Sequence, residues 1–278
     1  MPRSISLLLL VAILCGCSSR SSDPPPLGRV APAGLSPRFF APEGWTWAAL
    51  PTPGATVRYG VAAPAGAPRG SVLIALPAGE RGEVWFETAR ELIARGYTVW
   101  IIDGVDDPSA ASRLWQRAVV DVVRPSPQQP LVVLLASNDL PGWSFDAQTQ
   151  SEPAGLVLIP PGDKDVRARD VDPSRQAMVR AWASVSTTGA GAAQHRTSRT
   201  PTIRQYMGTP TLVIGDAAPA VVRTCRASAR CRLQPGRAIA LYLASDRIRK
   251  VRMTQAIAFI ERQMVRQAPP QTAFPPDT

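Results

Sequence analysis

Serine, histidine and carboxylate side chains can run hydrolytic chemistry only when the fold brings them together, and this chain is short of one of the three. It contains a single histidine, His195. Two serines stand where a nucleophile could sit: Ser137 in Ala136-Ser137-Asn138-Asp139-Leu140, and Ser144 in Gly142-Trp143-Ser144-Phe145-Asp146. Either would need His195 to take its proton, because a hydroxyl without a base is a poor nucleophile at neutral pH. Asp139 could serve as a carboxylate nucleophile, and it too would need a histidine for the hydrolytic step. Asp103, Asp106 and Asp107 form a carboxylate cluster that could meet a cation, or could simply cap the segment opened by Pro108. Cys225 and Cys231 are either a disulfide or half of a zinc site, and the zinc reading lacks two ligands that His195 alone does not provide. No metal site and no cofactor are expected.

The elements that must position these groups read as strand and helix in alternation. Leu131 to Leu135 is five apolar residues in a row, too short for a helix and suited to a buried parallel strand. In open α/β sheets, reactive groups gather just past the carboxyl ends of such strands, which puts the turn from Ala136 to Leu140 at the centre. Further strands are expected at Ser71–Leu76, Tyr97–Ile102, Gly155–Ile159, Thr209–Gly215 and Ala238–Leu243. Trp45 to Ala63 alternates around Pro51-Thr52-Pro53-Gly54 and reads as an antiparallel edge hairpin. Helices are expected at Val84–Arg95, ended by Gly96, then from Pro108 to before Pro125, and at Asp246–Gln267. In the first, Phe86, Ala89, Leu92 and Ile93 share a face; in the last, Ile248, Val251, Ala256, Ile257, Ile260 and Met264 should point inward. Residues 163–208 are charged and rich in small residues, with a helix at Pro173–Ser186. Between two core strands they are expected to form a cap insertion.

The N-terminus carries an address. One positive charge precedes the apolar run Leu7 to Leu14, too short to span a bilayer as a mature helix. Leu14-Cys15-Gly16-Cys17 resembles a bacterial lipobox, which implies removal of residues 1–16 and a lipid on Cys17. Ser18, not aspartate, follows Cys17, and by resemblance to Gram-negative sorting this implies the outer membrane. Residues 17–42 are rich in proline and serine and read as an extended tether, with Phe39 and Phe40 docking on the domain. A domain at 43–267 and a disordered Pro-rich tail at 268–278 complete the organisation. An exported chain keeps paired thiols oxidised, so Cys225 and Cys231 are expected to be joined.

The formal net charge is +10, nearly all from arginine, since Lys164 and Lys250 are the only lysines. No basic motif interleaved with aromatics is present, so nucleic acid is not an expected partner. Arg223, Arg226, Arg230, Arg232 and Arg237, with Arg247, Arg249, Lys250 and Arg252, could form one positive face toward an anionic envelope polymer. A protein partner is the alternative.

Taken in order, the segments resemble the α/β-hydrolase family, in its monoglyceride-lipase and serine-aminopeptidase branch, over roughly Val57 to Gln263. The matching pieces are Gly79-Glu80-Arg81-Gly82, Arg95 through Asp103, Gly155-Leu156-Val157-Leu158-Ile159, Pro210 through Asp216 and Ala256-Ile257-Ala258-Phe259-Ile260. The resemblance implies an α/β fold: a mostly parallel sheet with helices on both faces and a small cap. It also implies where a serine, an acid and a histidine should stand. Those positions hold Asn138, Ala218 (with Asp216 two residues early) and Asp246. The His-Gly pair that helps form the oxyanion hole is matched by Leu76-Pro77, and proline lacks a backbone donor. A degenerate, non-catalytic hydrolase domain acting in binding or envelope assembly is the expectation, with a divergent serine esterase or lipase as the alternative.

Overall fold

The computed structural model describes residues 37–52, 55–76, 81–103, 129–136, 153–160, 168–177, 208–215, 217, 219–236 and 244–267. The lipobox with Cys17, the turn with Ser137 and Asn138, Ser144, His195, Ala218, the segments around 108–124 and 238–243, and the 268–278 tail lie outside them. The described residues belong to one compact unit.

Its centre is an eight-stranded sheet: β1 (Thr46–Thr52), β2 (Ala55–Ala62), β3 (Ser71–Ala75), β4 (Thr98–Ile102), β5 (Leu131–Leu135), β6 (Gly155–Leu158), β7 (Thr211–Ile214) and β8 (Cys231–Gln234). The spatial order is β1-β2-β4-β3-β5-β6-β7-β8. β2 pairs antiparallel with both β1 and β4, and all later pairs are parallel. β2 alone therefore runs against the other seven. The apolar runs Val72–Ala75, Val99–Ile102 and Val132–Leu135 are buried along their length, as strands covered on both faces must be. Pro51 lies on the outer strand β1, opposite Thr56, where a missing ladder donor costs least. β1 thus continues through Pro51 and Thr52, which the sequence pattern assigns to the turn.

Three helices are described over their length, α1 (Phe86–Ala94), α2 (Pro219–Arg226) and α3 (Asp246–Gln267), and residues 173–177 are helical where the expected helix at Pro173–Ser186 opens. One sheet face, with Leu73, Val133, Leu156 and Val213, packs on Val221 and Cys225 of α2. On the opposite face a Cβ on Gly155 would meet Gln263 and Phe259 of α3, and Arg249 of α3 bonds Thr88 of α1. Helices therefore cover both faces. A 3₁₀ turn, Gly82–Trp85, leads into α1, and Gly96, at φ +88°, supplies the left-handed residue that stops it.

α3 has the expected bounds but a different inward stripe. Arg249, Arg252, Met253, Ala256, Ile257, Ile260 and Met264 are buried, whereas Val251 is 55 % exposed. The stripe runs 249, 253, 256, 260, 264, which is the helical period, and Val251 lies off it. In α1, Thr88 is buried in place of the half-buried Ile93. Of the two phenylalanines before the hairpin, Phe39 is buried and Phe40 is 47 % exposed. Arg90 of α1 fixes this entry by donating to the carbonyls of Arg38 and Phe40.

The largest departure concerns the end of the sheet. The cysteine segment is not a loop: α2 ends at Arg226, β8 begins at Cys231, and a disulfide joins Cys225 to Cys231 with Cα atoms 5.1 Å apart. The last described strand of the sheet is Cys231–Gln234, and the expected strand at Ala238–Leu243 lies outside the described residues. Residues 168–177 lie within the expected cap insertion; Val171 bridges Ala244, and Arg175 is fully buried, donating to the Val84 carbonyl and pairing with Glu87 of α1.

Candidate functional site

β3 and β5 are neighbours in the sheet, with Ala75 opposite Leu135. Backbone bonds hold their carboxyl ends level. Leu76 donates to the Ile102 carbonyl at 3.3 Å, Ala136 to Ala75 at 3.1 Å and Ile159 to Leu135 at 2.8 Å. Leu76 and Ala136 therefore end adjacent strands, where a turn and an oxyanion loop would have to meet. Leu76 and Ala136 are the last described residues there.

The described side chains at this end are tied into two ion networks. In the first, Arg58 of β2 reaches Glu83 at 2.8 Å and Asp103 at 2.6 Å. Gly82 donates its backbone N–H to the other oxygen of Asp103 at 2.8 Å. A side chain at position 82 would collide with Trp47 at 2.7 Å and Ile101 at 2.9 Å, so glycine is what lets the loop after β3 come this close. The Arg58 guanidinium also lies 3.8 Å from the centre of a Trp47 ring, a cation–π contact. Burial pushes the Glu83 carboxyl above its ordinary range; Arg58 works against that and Asp103 adds to it. Burial would lower Arg58, but the charges of Asp103 and Glu83 outweigh it and raise its pKa. Asp103 is thus consumed by a structural pair, and Asp106 and Asp107 lie outside the described residues.

The second network gathers three arginines and three carboxylates around the starts of α1 and α3. Arg38 bonds Asp172 at 2.6 Å and Asp246 at 3.0 Å. Arg175 and Arg249 both pair with Glu87. Burial and the neighbouring Arg175 bring the Arg249 pKa down to about 10. Burial would raise Asp172, but Arg38 and the backbone N–H groups of Arg175 and Ser174 outweigh it and hold its carboxyl below the ordinary value.

Asp246 therefore opens α3 as an exposed, ion-paired residue. The expected strand ahead of it, Ala238–Leu243, lies outside the described residues. The expected positive face also divides. Arg249 and Arg252 are buried, Arg249 inside the second network. Arg223 and Arg226 belong to α2, Arg232 to β8 and Arg230 to the turn between them at the sheet's far edge, and Arg237 lies outside the described residues.

Sequence reasoning missed Arg58, Glu83 and Arg175. Glu83 and Arg175 are charged residues with no local sign of burial. Among the described residues no three His, Cys, Asp or Glu side chains gather as metal ligands, and no described helix is long and apolar enough to cross a membrane.

The single antiparallel strand at position two, the parallel remainder, the helices on both faces and the strand order define an α/β-hydrolase-like fold. Solved structures agree. A monoglyceride lipase of Saccharomyces cerevisiae aligns with TM-score 0.53 and 15 % identity, covering 84 % of this chain and 99 % of its own. A carboxyl esterase of Bacillus coagulans aligns with TM-score 0.52 and 12 % identity over 80 % and 99 %. A bacterial membrane phospholipase A aligns with TM-score 0.54 and 13 % identity over 79 % and 87 %. No protein-family model and no curated protein matches the chain.

Proposed function

We propose that this chain is a lipoprotein of the bacterial outer membrane, anchored through Cys17, whose hydrolase-like domain binds a partner or an envelope polymer without turning over esters. One observation carries the non-catalytic part. The last described strand of the sheet ends at Gln234, and residues 235–278 contain no histidine. Hydrolase chemistry on this fold needs a base in that stretch. Asn138 in place of serine and Ala218 in place of the acid support the same reading. The lipobox Leu14 to Cys17 supports the anchor.

The test has two arms on the full chain. Cys17→Ala should leave membrane fractions or accumulate as unprocessed precursor, read by fractionation and size. Unchanged fractionation at normal size removes the anchor. Wild-type protein should hydrolyse short-chain and medium-chain aryl esters no faster than background. Turnover that is lost in Ser137→Ala or Ser144→Ala and in His195→Ala would instead establish a serine esterase.

A further inference from the structure

A cavity of about 290 Å³ opens at the amino ends of β7 and β8, the opposite end of the sheet from the strand ends discussed above. Its wall carries Arg230, just before β8, Arg232 from β8, and Arg262 and Arg266 from the last turns of α3, and among the described residues no acidic one lines it. The nearest carboxylate in sequence, Glu261, is bound to Arg95 at 2.9 Å. Among the described residues none of the four arginines has an ion-pair partner; Arg230 donates one N–H to the carbonyl of Gly208. Arg262 and Arg266 stand four apart on one helix face and repel each other until something negative arrives. The disulfide from Cys225 to Cys231 pins the strand start between Arg230 and Arg232.

Gln263 lines the same cavity and adds a neutral amide to its wall. Phe259 forms an apolar wall beside it.

We infer that this cavity binds a phosphate ester, with the arginines on the phosphate oxygens and Gln263 on a hydroxyl of the attached group. Planar guanidiniums match phosphate in two-point hydrogen bonding better than any other side chain. The volume falls at the small end of ligand sites, roughly 300–1,000 Å³, which suits a phosphate with one small polar group and leaves acyl chains outside. The same chemistry is found in a free sugar phosphate and in a phospholipid headgroup. The inference names a ligand for the binding role proposed above, but it occupies a different end of the sheet and does not depend on the absence of catalysis.

The experiment is calorimetric titration of the detergent-solubilised full chain with inorganic phosphate, glucose 6-phosphate, short-chain phosphatidic acid and uncharged glucose. At least one phosphate should bind where glucose does not. Arg262→Gln/Arg266→Gln should weaken that binding about ten-fold per arginine removed, roughly 100-fold together. Arg247→Gln/Lys250→Gln, which removes the same charge from exposed positions elsewhere on α3, should leave it unchanged. Stronger binding of glucose 6-phosphate assigns the site to a soluble ester, and stronger binding of phosphatidic acid assigns it to a headgroup. If no phosphate binds, or both double variants weaken binding equally, the site is refuted. Ester turnover measured on the same samples reports separately on the non-catalytic reading.

Discussion

At the carboxyl ends of the strands Arg58, Glu83 and Asp103 close on one another, while at the amino ends Arg230, Arg232, Arg262 and Arg266 surround a cavity with no carboxylate among the described residues of its wall. The first arrangement pairs its charges internally, with Nη1 of Arg58 left buried and without a hydrogen-bond partner among the described residues. Its charges are buried, and each is answered by a partner inside the fold, as is the second group around Arg175 and Glu87. The second arrangement is solvent-facing and uncompensated. Buried charge that is internally neutralised fixes geometry, and removing one member is costly. Exposed like charge that is left unanswered contributes little or negatively to stability and is available to a ligand. On this fold the end that would ordinarily hold chemistry has become structural where it is described, and the open electrostatics lie at the other end.

The comparison is broken most directly at Arg175. Arg175→Ala removes a fully buried cation and leaves Asp172 and Glu87 short of a partner. The expected loss is about 3 kcal/mol, read as a lowered urea midpoint with unchanged slope. A loss no larger than that of an ordinary surface substitution would mean the network does not hold the domain.

Glu83 sharpens the same point through pH. Its pKa is raised in the folded state, so its contribution is complete below the unfolded glutamate value of about 4.3 and falls as pH climbs through the folded value. Glu83→Gln mimics the neutral form. Its stability relative to wild type should therefore improve as pH rises above about 4.3, in urea titrations at stepped pH. A gap that stays constant with pH would show that Glu83 titrates normally.

The smallest effect is expected at the other end. Arg262→Gln/Arg266→Gln should change stability by less than about 0.5 kcal/mol, with relief of the i,i+4 repulsion acting in favour of the variant. A large loss there would mean these arginines are structural after all.

How far the sequence reveals this molecule depends on what kind of signal each element carries. β5 and α3 are legible because five apolar residues in a row and a 22-residue periodic stretch have few alternative readings. β8 is not. Cys231-Arg232-Leu233-Gln234 is four residues long and only partly buried, and the apolar run at Ala238–Leu243 looks more like a strand. The inward turn of Arg249 is equally hidden, because its partners Glu87 and Thr88 are about 160 residues away in the chain. The arginine cavity draws on segments around 230 and 262, each unremarkable alone. The disulfide was legible from export and cysteine parity, which need no fold. The residues for which the family resemblance made its sharpest statements, Asn138 and Ala218, lie outside the described parts, so their reading rests on sequence.

The central claim is that a hydrolase-like sheet here carries no working nucleophile. The most direct measurement is the intact mass of the full chain after exposure to a serine-reactive phosphonate. The account predicts no adduct, since Ser137 and Ser144 have no base in the position the fold provides. A stoichiometric adduct on Ser137 or Ser144 that disappears in His195→Ala would contradict it.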